Sequence, residues 1–445
     1  MAQARYKQVV DALAAQIRAG RLAPAMRLPT HRQLAGMQGL ALATASRVYA
    51  ELEAMGLVVG EIGRGTFVRD QSYLPSGRDA FTAAAEGSLD LSFSSPRVAG
   101  QADLLRDALR KLAASGGLDA VLHYLPHGGR AHERAVAANH LAARGLELQG
   151  DQVLIVNGAQ HGLAVTAMGL LRPGEVVAVD ALTYPGFKAV AGALKLELVP
   201  LPMGPHGTDL EALESLCRLR PVRAMYCMPT LHNPLGHVLT LGWRRQLVAI
   251  ARARNLTLIE DAAYAFLAAE APPPLAAMAP ERTVYVSSLS KSVATGLRVG
   301  FVAADAALLA PIERAVHATV WNTAGVMTSI ACGWMEDGTV ARLENDKRRD
   351  AVQRQLIVDR ELAGLRTVRH PNSYFVWVEL GEDQRADRVT ARLAQRGIAV
   401  SSAEAFATTT HVPQAIRVAL GSAPSKRELR RALSVVREVV ETDSS

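Results

Sequence analysis

A lysine preceded by hydroxyl groups and followed by an arginine is the part of the sequence best suited to chemistry. Lys291 follows the apolar stretch 284–287 together with Ser288 and Ser290, and Arg298 comes seven residues after it. A lysine that forms a Schiff base with an aldehyde needs a fixed, partly dry position and a nearby anion site for the aldehyde's phosphate. Ser288 and Arg298 could supply that anion site.

Two other interpretations compete with this one. A lysine beside a strand is often only a surface residue. Ser-x-x-Lys is also the nucleophile motif of β-lactamases, but their partner motifs Ser-Asp-Asn and Lys-Thr-Gly do not occur in the sequence. The choice therefore depends on what the other elements bring to the lysine.

From about Leu89 onward, predicted strands alternate with predicted helices. This pattern is typical of an α/β fold with a mostly parallel sheet and helices on both faces. The predicted strands are 153–156, 176–179, 196–201, 224–228, 256–260, 284–287 and 300–303, and the predicted helices include 131–144, 162–170, 210–219 and 244–254. After about Thr339 the pattern predicts a smaller α+β part, with helices at 342–362, 387–396 and 426–441 and strands at 368–380, 399–401 and 416–419.

Polar residues follow several of these strands. In an open α/β sheet, ligands bind beyond the carboxyl ends of the strands. The first strand leads into the turn 157–162, whose free backbone N–H groups can hold a phosphate, and Tyr184 follows the second strand, where it could stack on an aromatic ring. Asp261 ends the strand 256–260. A carboxylate there is costly without a cation or a strong donor, and a protonated pyridine nitrogen is such a partner.

Together these segments resemble the fold-type I aminotransferases, which bind pyridoxal 5′-phosphate (PLP), over about residues 89–440. The resemblance implies a catalytic set of Lys291, as the Schiff-base lysine, Asp261, as partner of the pyridine nitrogen, and Tyr264. Asn233, in Asn-Pro-Leu-Gly, would bond to the ring hydroxyl oxygen together with Tyr264, and Tyr184 would stack on the ring. The implied phosphate ligands are Ala159, Gln160, Ser288, Ser290 and Arg298.

Two further segments extend the resemblance. His-Tyr-Leu-Pro-His-Gly-Gly at 123–129 resembles the family segment whose tyrosine reaches the phosphate of the neighbouring subunit. Tyr124 therefore implies a homodimer with shared sites. Arg417 matches the arginine that grips an amino acid's carboxylate by a bidentate pair.

The first seventy residues predict a different kind of domain. Helical spacing at 5–19, a capped helix at 31–37 and a third helix at 44–55 precede two short strands around a glycine-rich tip. Helices joined by a short turn and followed by a hairpin make a winged helix-turn-helix. The segment resembles the GntR-type DNA-binding domain, through Leu-Pro-Thr-His-Arg-Gln-Leu-Ala at 28–35 and Gly-Arg-Gly-Thr-Phe-Val at 63–68.

By that resemblance, five residues should contact DNA: Arg32, Thr44, Ser46 and Arg47 at phosphates or base edges, and Arg64 in a minor groove. Each arginine could instead be a solvated charge, and Arg47 could pair with Glu51 within its helix. Leu42 stands where the family usually has an arginine. Base contacts at the start of this helix would then rest on thymine methyl groups or be weaker.

Composition indicates a soluble protein of the cytoplasm. The hydrophobic content is 49% and the charged content 20% over 445 residues, which is typical of a well-packed chain of two or three domains. The three cysteines have neither the spacing of a disulfide framework nor that of metal ligands. They therefore predict a reducing compartment and no metal site. The net charge is +7, and residues 1–70 hold nine Lys or Arg against five acids, which favours a polyanionic partner.

The two halves together resemble the MocR-type transcription regulators. We expect a winged helix at 1–70, a linker at 71–88 and an aminotransferase-like part at 89–445 that divides near residue 338. The leading hypothesis is a DNA-binding regulator that senses PLP, or an amine or amino acid that reacts with it. A working aminotransferase with secondary DNA binding, and a sensor of PLP alone, remain open.

Overall fold

A computed structural model describes residues 2–23, 26–55, 57–61, 65–68, 88–96, 100–116, 118–204 and 207–442. Arg64 and all of the predicted linker except Ser88 lie outside these ranges. Among the residues described, no helix combines the length and the apolar character that a membrane crossing requires.

The amino-terminal elements form three helices and a hairpin around their own core. They are α1 (Ala2–Arg18), α2 (His31–Gln38), α3 (Leu42–Ala54) and the antiparallel strands β1 (Val58–Glu61) and β2 (Gly65–Val68). Thr30 begins α2 with a capping box, in which its hydroxyl accepts from Gln33 N and Gln33 Oε1 accepts from Thr30 N. This confirms the predicted cap. The third helix begins two residues earlier than predicted, so that Leu42 lies in its exposed first turn.

The larger part of the remaining chain is built around a seven-stranded sheet. Its elements in chain order are β3 (Leu89–Asp90), α4 (Gln101–Ala114), α5 (Asp119–Leu122), α6 (Ala131–Ala142), β4 (Val153–Val156), α7 (Gly158–Leu170), β5 (Val176–Asp180), α8 (Pro185–Ala193), β6 (Glu197–Leu201), β7 (Met203–Gly204), β8 (Gly207–Thr208), α9 (Leu210–Leu219), β9 (Val222–Cys227), α10 (Leu241–Arg254), β10 (Thr257–Asp261), α11 (Leu275–Met278), β11 (Thr283–Ser288), α12 (Leu289–Ser292), β12 (Gly300–Ala303), α13 (Ala306–Val320) and α14 (Gly325–Glu336).

The order of the strands in this sheet is β4-β12-β11-β10-β9-β5-β6. Only β12 runs against its neighbours, so the predicted mostly parallel sheet is confirmed. Strands β4, β5 and β11 are buried along their whole length, because helices cover both faces of the sheet. Helix α7 begins four residues before its predicted start, since Gly158 adopts a left-handed conformation with φ +77° and turns the chain directly from β4 into the helix.

A smaller sheet and its helices complete the chain. The elements are α15 (Thr339–Glu361), β13 (Thr367–Val368), β14 (Phe375–Glu379), α16 (Ala386–Gln395), β15 (Ile398–Ala399), β16 (Ser401–Ser402), β17 (Ala415–Ala419) and α17 (Lys426–Thr442). The sheet order is β13-β14-β17-β16, and β3 pairs in parallel with β15. The single strand predicted at 368–380 is wrong, because the chain turns at 371–374 and forms two strands.

Candidate functional site

The strand directions bring the predicted site residues that follow these strands to one edge of the large sheet. Strands β4, β5, β9, β10 and β11 point the same way, so their carboxyl ends lie side by side. Strand β12 runs the opposite way, so the residues before it, including Arg298, also lie at this edge. Residues far apart in the sequence therefore meet there, as the strand pattern predicted.

Lys291 lies on the four-residue helix α12, directly after β11. It is half-buried, and its Nζ donates to the backbone oxygen of Ser94 at 2.5 Å. The same Nζ lies 5.9 Å from the centre of the Tyr264 ring. Tyr264 is buried and packs edge-to-face on Phe375. The amine is thus held in a fixed, partly buried position.

Asp261 ends β10 and is 1% exposed. Its Oδ2 accepts a hydrogen bond from the Tyr226 hydroxyl at 2.8 Å, and its Oδ1 accepts one from Ala263 N at 3.0 Å. The pKa of Asp261 lies above its ordinary value, because burial raises it more than these two hydrogen bonds and the charge of Lys291 lower it. A cation brought to this carboxylate would stabilise its ionised form, which is the requirement of a protonated pyridine ring.

A cradle for an anion lies between the end of β4 and the start of β12. Arg298 donates from Nη2 to Asn157 O at 3.0 Å, and its Nη1 lies 3.5 Å from Ser290 Oγ. Gly158 leaves the space that this guanidinium occupies, because a Cβ there would lie 2.9 Å from Arg298 Nη2. Ser288 and Ser290 are both buried beside it. The residues present fit a phosphate group.

The first turn of α7 supplies Ala159 and Gln160, both half-buried. Gln160 Nε2 donates to Gly186 O at 2.8 Å, whereas Gln160 Oε1 is buried and has no hydrogen-bond partner among the described residues. Tyr184 precedes α8 nearby, and its burial, together with Asp261 and Tyr264, raises its pKa well above the ordinary value. Its ring therefore stays neutral and available for stacking. The unpaired amide oxygen is a second sign that this region accommodates a polar ligand.

Arg417 lies in β17 of the smaller sheet and reaches across to the large one. It is 5% exposed, and its Nη1 donates to Asn233 Oδ1 at 2.8 Å while Nη2 donates to Ser92 O. Its guanidinium lies 4.7 Å from the centre of the Phe406 ring, and within the part of the chain that the structure describes its Nε has no hydrogen-bond partner. Burial lowers the pKa of Arg417. A buried cation with an unused donor is suited to receive a carboxylate.

Tyr124 does not join this cluster within one chain. It is 83% exposed and packs on Trp321 at a ring distance of 4.9 Å, beside the exposed Leu122. Its predicted contact with the phosphate of a second subunit stays a prediction.

The predicted DNA contacts have different surroundings. Arg32 is exposed on α2, and Thr44 is half-buried in the first turn of α3. Ser46 Oγ is hydrogen-bonded to His31 Nδ1 at 3.0 Å, and the exposed Arg47 lies 4.5 Å over the ring of Tyr6. Arg64 lies outside the described residues.

The winged helix contacts the smaller sheet region through a buried arginine that the sequence did not single out. Arg385 is 4% exposed in its side chain and lies 3.5 Å from Glu51, 3.4 Å from Asp11 and 3.2 Å from Asp387. Burial lowers the pKa of Arg385, but the three carboxylates more than offset this effect and hold it above its ordinary value. Glu51 also has Arg388 at 3.8 Å. The ion pairs that Arg385 and Arg388 make with Glu51 therefore connect helix α3 to the carboxyl-terminal part of the chain.

Sequence reasoning missed two other residues at the site. Tyr226 holds Asp261, and a tyrosine within a predicted core strand carried a signal, because a buried hydroxyl needs a partner. Lys347 lies beneath the turn of Lys291, and nothing in its charged helical segment distinguished it from a solvated residue.

The sheet order, the lysine turn and the phosphate cradle define a fold-type I aminotransferase architecture, preceded by a winged helix-turn-helix. The family profile described as aminotransferase class I and II matches residues 86–436, and the chain belongs to this family. The profile described as bacterial regulatory proteins, gntR family, matches residues 5–68. The combination is that of the MocR-type regulators, as the sequence predicted.

Individual relatives share either the whole chain or its second part. The uncharacterized HTH-type transcriptional regulator YdeF of Bacillus subtilis is 27% identical over 441 residues, which cover 98% of this chain and 94% of YdeF. The arginine–pyruvate transaminase AruH of Pseudomonas aeruginosa is 29% identical and covers 78% of this chain and 89% of its own. The kynurenine aminotransferase of Pyrococcus horikoshii superposes with a TM-score of 0.76 at 20% identity, over 84% of this chain and 97% of that one.

Proposed function

We propose that this protein is a cytoplasmic, homodimeric transcription regulator that binds double-stranded DNA through residues 1–70 and PLP through residues 89–445. The observation that carries the proposal is the presence, in one chain, of a winged helix and a lysine–aspartate–arginine set built for one cofactor. A relative of almost the same length, named a transcriptional regulator, supports the regulatory role.

Each group of site residues has a separate role in this proposal. Lys291 holds the cofactor covalently, and Asp261 keeps a proton on the ring nitrogen. Arg298, with Ser288, Ser290, Ala159 and Gln160, holds the phosphate, while Tyr184 stacks on the ring and Tyr264 and Asn233 lie toward its oxygen. PLP, when bound, serves as an electron sink for bonds at the carbon of an attached amine.

Arg417 makes an amino acid or related carboxylate the natural effector class. A carboxylate can take the place of Ser92 O on the guanidinium and use the free Nε as well. Arg417 belongs to the smaller sheet, whereas Lys291 and Asp261 lie at the edge of the large sheet, so a ligand that contacts both has different contacts in two arrangements of these parts. Differential contact of this kind is what an effector needs to shift an equilibrium between two states.

Two measurements test the proposal together. The first is binding to the DNA upstream of the protein's own gene over a range of salt concentrations, with the variant Arg32→Ala/Arg47→Ala as comparison. Losing two phosphate contacts should reduce the slope of log affinity against log salt by about 2. Binding that is equally tight to unrelated DNA, or unchanged in the variant, would contradict the predicted docking.

A working aminotransferase is the second candidate, and the complete set around Lys291 and Arg417 favours it. The second measurement is therefore multiple-turnover conversion of amino acids with an oxo-acid acceptor. Sustained turnover without sequence-preferring DNA binding would replace the regulator proposal with the enzyme.

A further inference from the structure

A second lysine lies beneath the turn that carries Lys291. Lys347, on α15, is 1% exposed, and its Nζ donates to Lys291 O at 3.0 Å and to Val293 O at 2.7 Å. Helix α12 has only four residues, so its last carbonyl groups have no partners within the helix. Lys347 satisfies them from outside. An ammonium at the carboxyl end of a helix is also favoured by the partial negative charge there.

The buried surroundings of Lys347 disfavour a charged side chain at this position. The pKa of Lys347 is lowered to about 7, because burial and the nearby charge of Lys291 lower it more than Glu344 and Asp350 raise it. Tyr374 fixes the backbone of the same residue by donating to Lys347 O at 2.9 Å, and its hydroxyl lies 3.2 Å from Asp350 Oδ2. A methionine or leucine would fill such a site without desolvating a charge. The position of the amine therefore calls for a role beyond packing.

We propose that Lys347 is a positioning residue for the cofactor lysine: it fixes the turn 289–293 and places a positive charge behind Lys291. This inference rests on the proposed binding of PLP. The fixed turn limits the directions in which the Lys291 side chain can point. Below about pH 7, where Lys347 is charged, its charge disfavours a second positive charge at the Lys291 nitrogen after this nitrogen has joined the cofactor, and so lowers the pH at which that nitrogen becomes neutral.

The other charged and titratable groups around the two lysines are part of this balance. They are Glu344 and Asp350 on α15, Asp261 at the end of β10, and the hydroxyl groups of Tyr264 and Tyr374. The acids act in the opposite direction to Lys347. A substitution of Lys347 alone therefore measures the contribution of its charge to the titration of the Lys291 nitrogen.

The test follows the near-visible absorbance of lysine-bound PLP in the full-length protein as the pH is varied. Lys347→Met should move the midpoint of the absorbance change upward by about half to one pH unit, the effect of one like charge at an effective dielectric of about 20. Lys347→Arg keeps the charge and should stay near the wild-type midpoint. Added PLP should also attach about tenfold more slowly to PLP-free Lys347→Met, because the turn has lost two hydrogen bonds.

Gln101→Leu is the matched control. Gln101 Nε2 donates to the same Val293 O at 2.6 Å but carries no charge, so its loss should leave the midpoint unchanged. If Lys347→Met does not fold, as judged by circular dichroism, Lys347→Gln keeps a donor without the charge and should show the same shift. A midpoint equal to that of wild type in the uncharged variant that folds would overturn the role of Lys347. Failure of the wild-type protein to attach PLP at all would instead overturn the proposed function, and this inference with it.

Discussion

The contact between Arg385 and the winged helix predicts that one side chain controls how firmly the two parts of the chain are joined. Arg385→Met removes the cation that faces Glu51, whose side chain is 7% exposed, and Asp11, whose side chain is 46% exposed. Removing one partner of a buried ion pair costs about 3–5 kcal/mol. Because Glu51 keeps Arg388 at 3.8 Å, we expect the lower end of this range. About 3 kcal/mol corresponds to a shift of roughly a hundredfold in the equilibrium between joined and separated domains.

Hydrogen–deuterium exchange of the amides in α1 and α3 measures this equilibrium. Both helices should exchange faster in Arg385→Met, while the strands of the large sheet should be unaffected. Arg388→Met is the matched control, since Arg388 faces the same Glu51 but its side chain is 46% exposed. An exposed pair is worth about 0–1 kcal/mol, so this variant should resemble the wild type. Equal changes in the two variants would refute the assignment of Arg385 as the main contact.

Three other perturbations test the site and its surroundings. Lys291→Ala should abolish the absorbance of lysine-bound PLP, and a variant that retained this absorbance would show that another amine holds the cofactor. Gly158→Ala should weaken PLP binding at least tenfold, measured by equilibrium titration, because the new methyl group displaces the Arg298 guanidinium. Burial raises the pKa of Glu260 to about 7 from 4.5, so the native state binds this proton more tightly than the unfolded state and the free energy of unfolding should fall as pH rises from about 4.5 to 7. Glu260→Gln should flatten that decline in denaturant titrations; an unchanged pH dependence would contradict the assignment.

The sequence predicted the strands that carry the site because their apolar runs are short, β-rich and bounded by glycine, proline or polar turns. It also predicted which residues follow them, since a parallel sheet gathers the carboxyl ends of its strands. The helices α13 and α14 are among those that were not predicted. Both are rich in small apolar residues, and Pro311 lies within α13. Because a helix usually ends before a proline, the sequence pattern did not predict a helix that continues through Pro311.

Apart from the residues gathered at the strand ends, contacts of single charged side chains across long sequence separations could not be predicted. Lys347 and Arg385 each look like ordinary charged residues of a solvated helix, and only the packing of distant segments makes them buried. The alternative considered for Arg47, a pair with Glu51, is replaced by stacking on Tyr6, because Glu51 faces Arg385 and Arg388. Partner choice among several reachable groups is decided by tertiary structure, which local spacing does not encode.

Strand β3 gives the molecule an unusual mechanical connection. Among the described residues, the first element after the winged helix is β3, which pairs with β15 of the smaller part and precedes every strand of the large sheet. The winged helix is therefore joined to the smaller part both by covalent continuity and by side-chain contacts, among them those of Arg385 and Arg388. A rotation of the smaller sheet and its helices toward a bound ligand would therefore move the winged helix as well, relative to the large sheet.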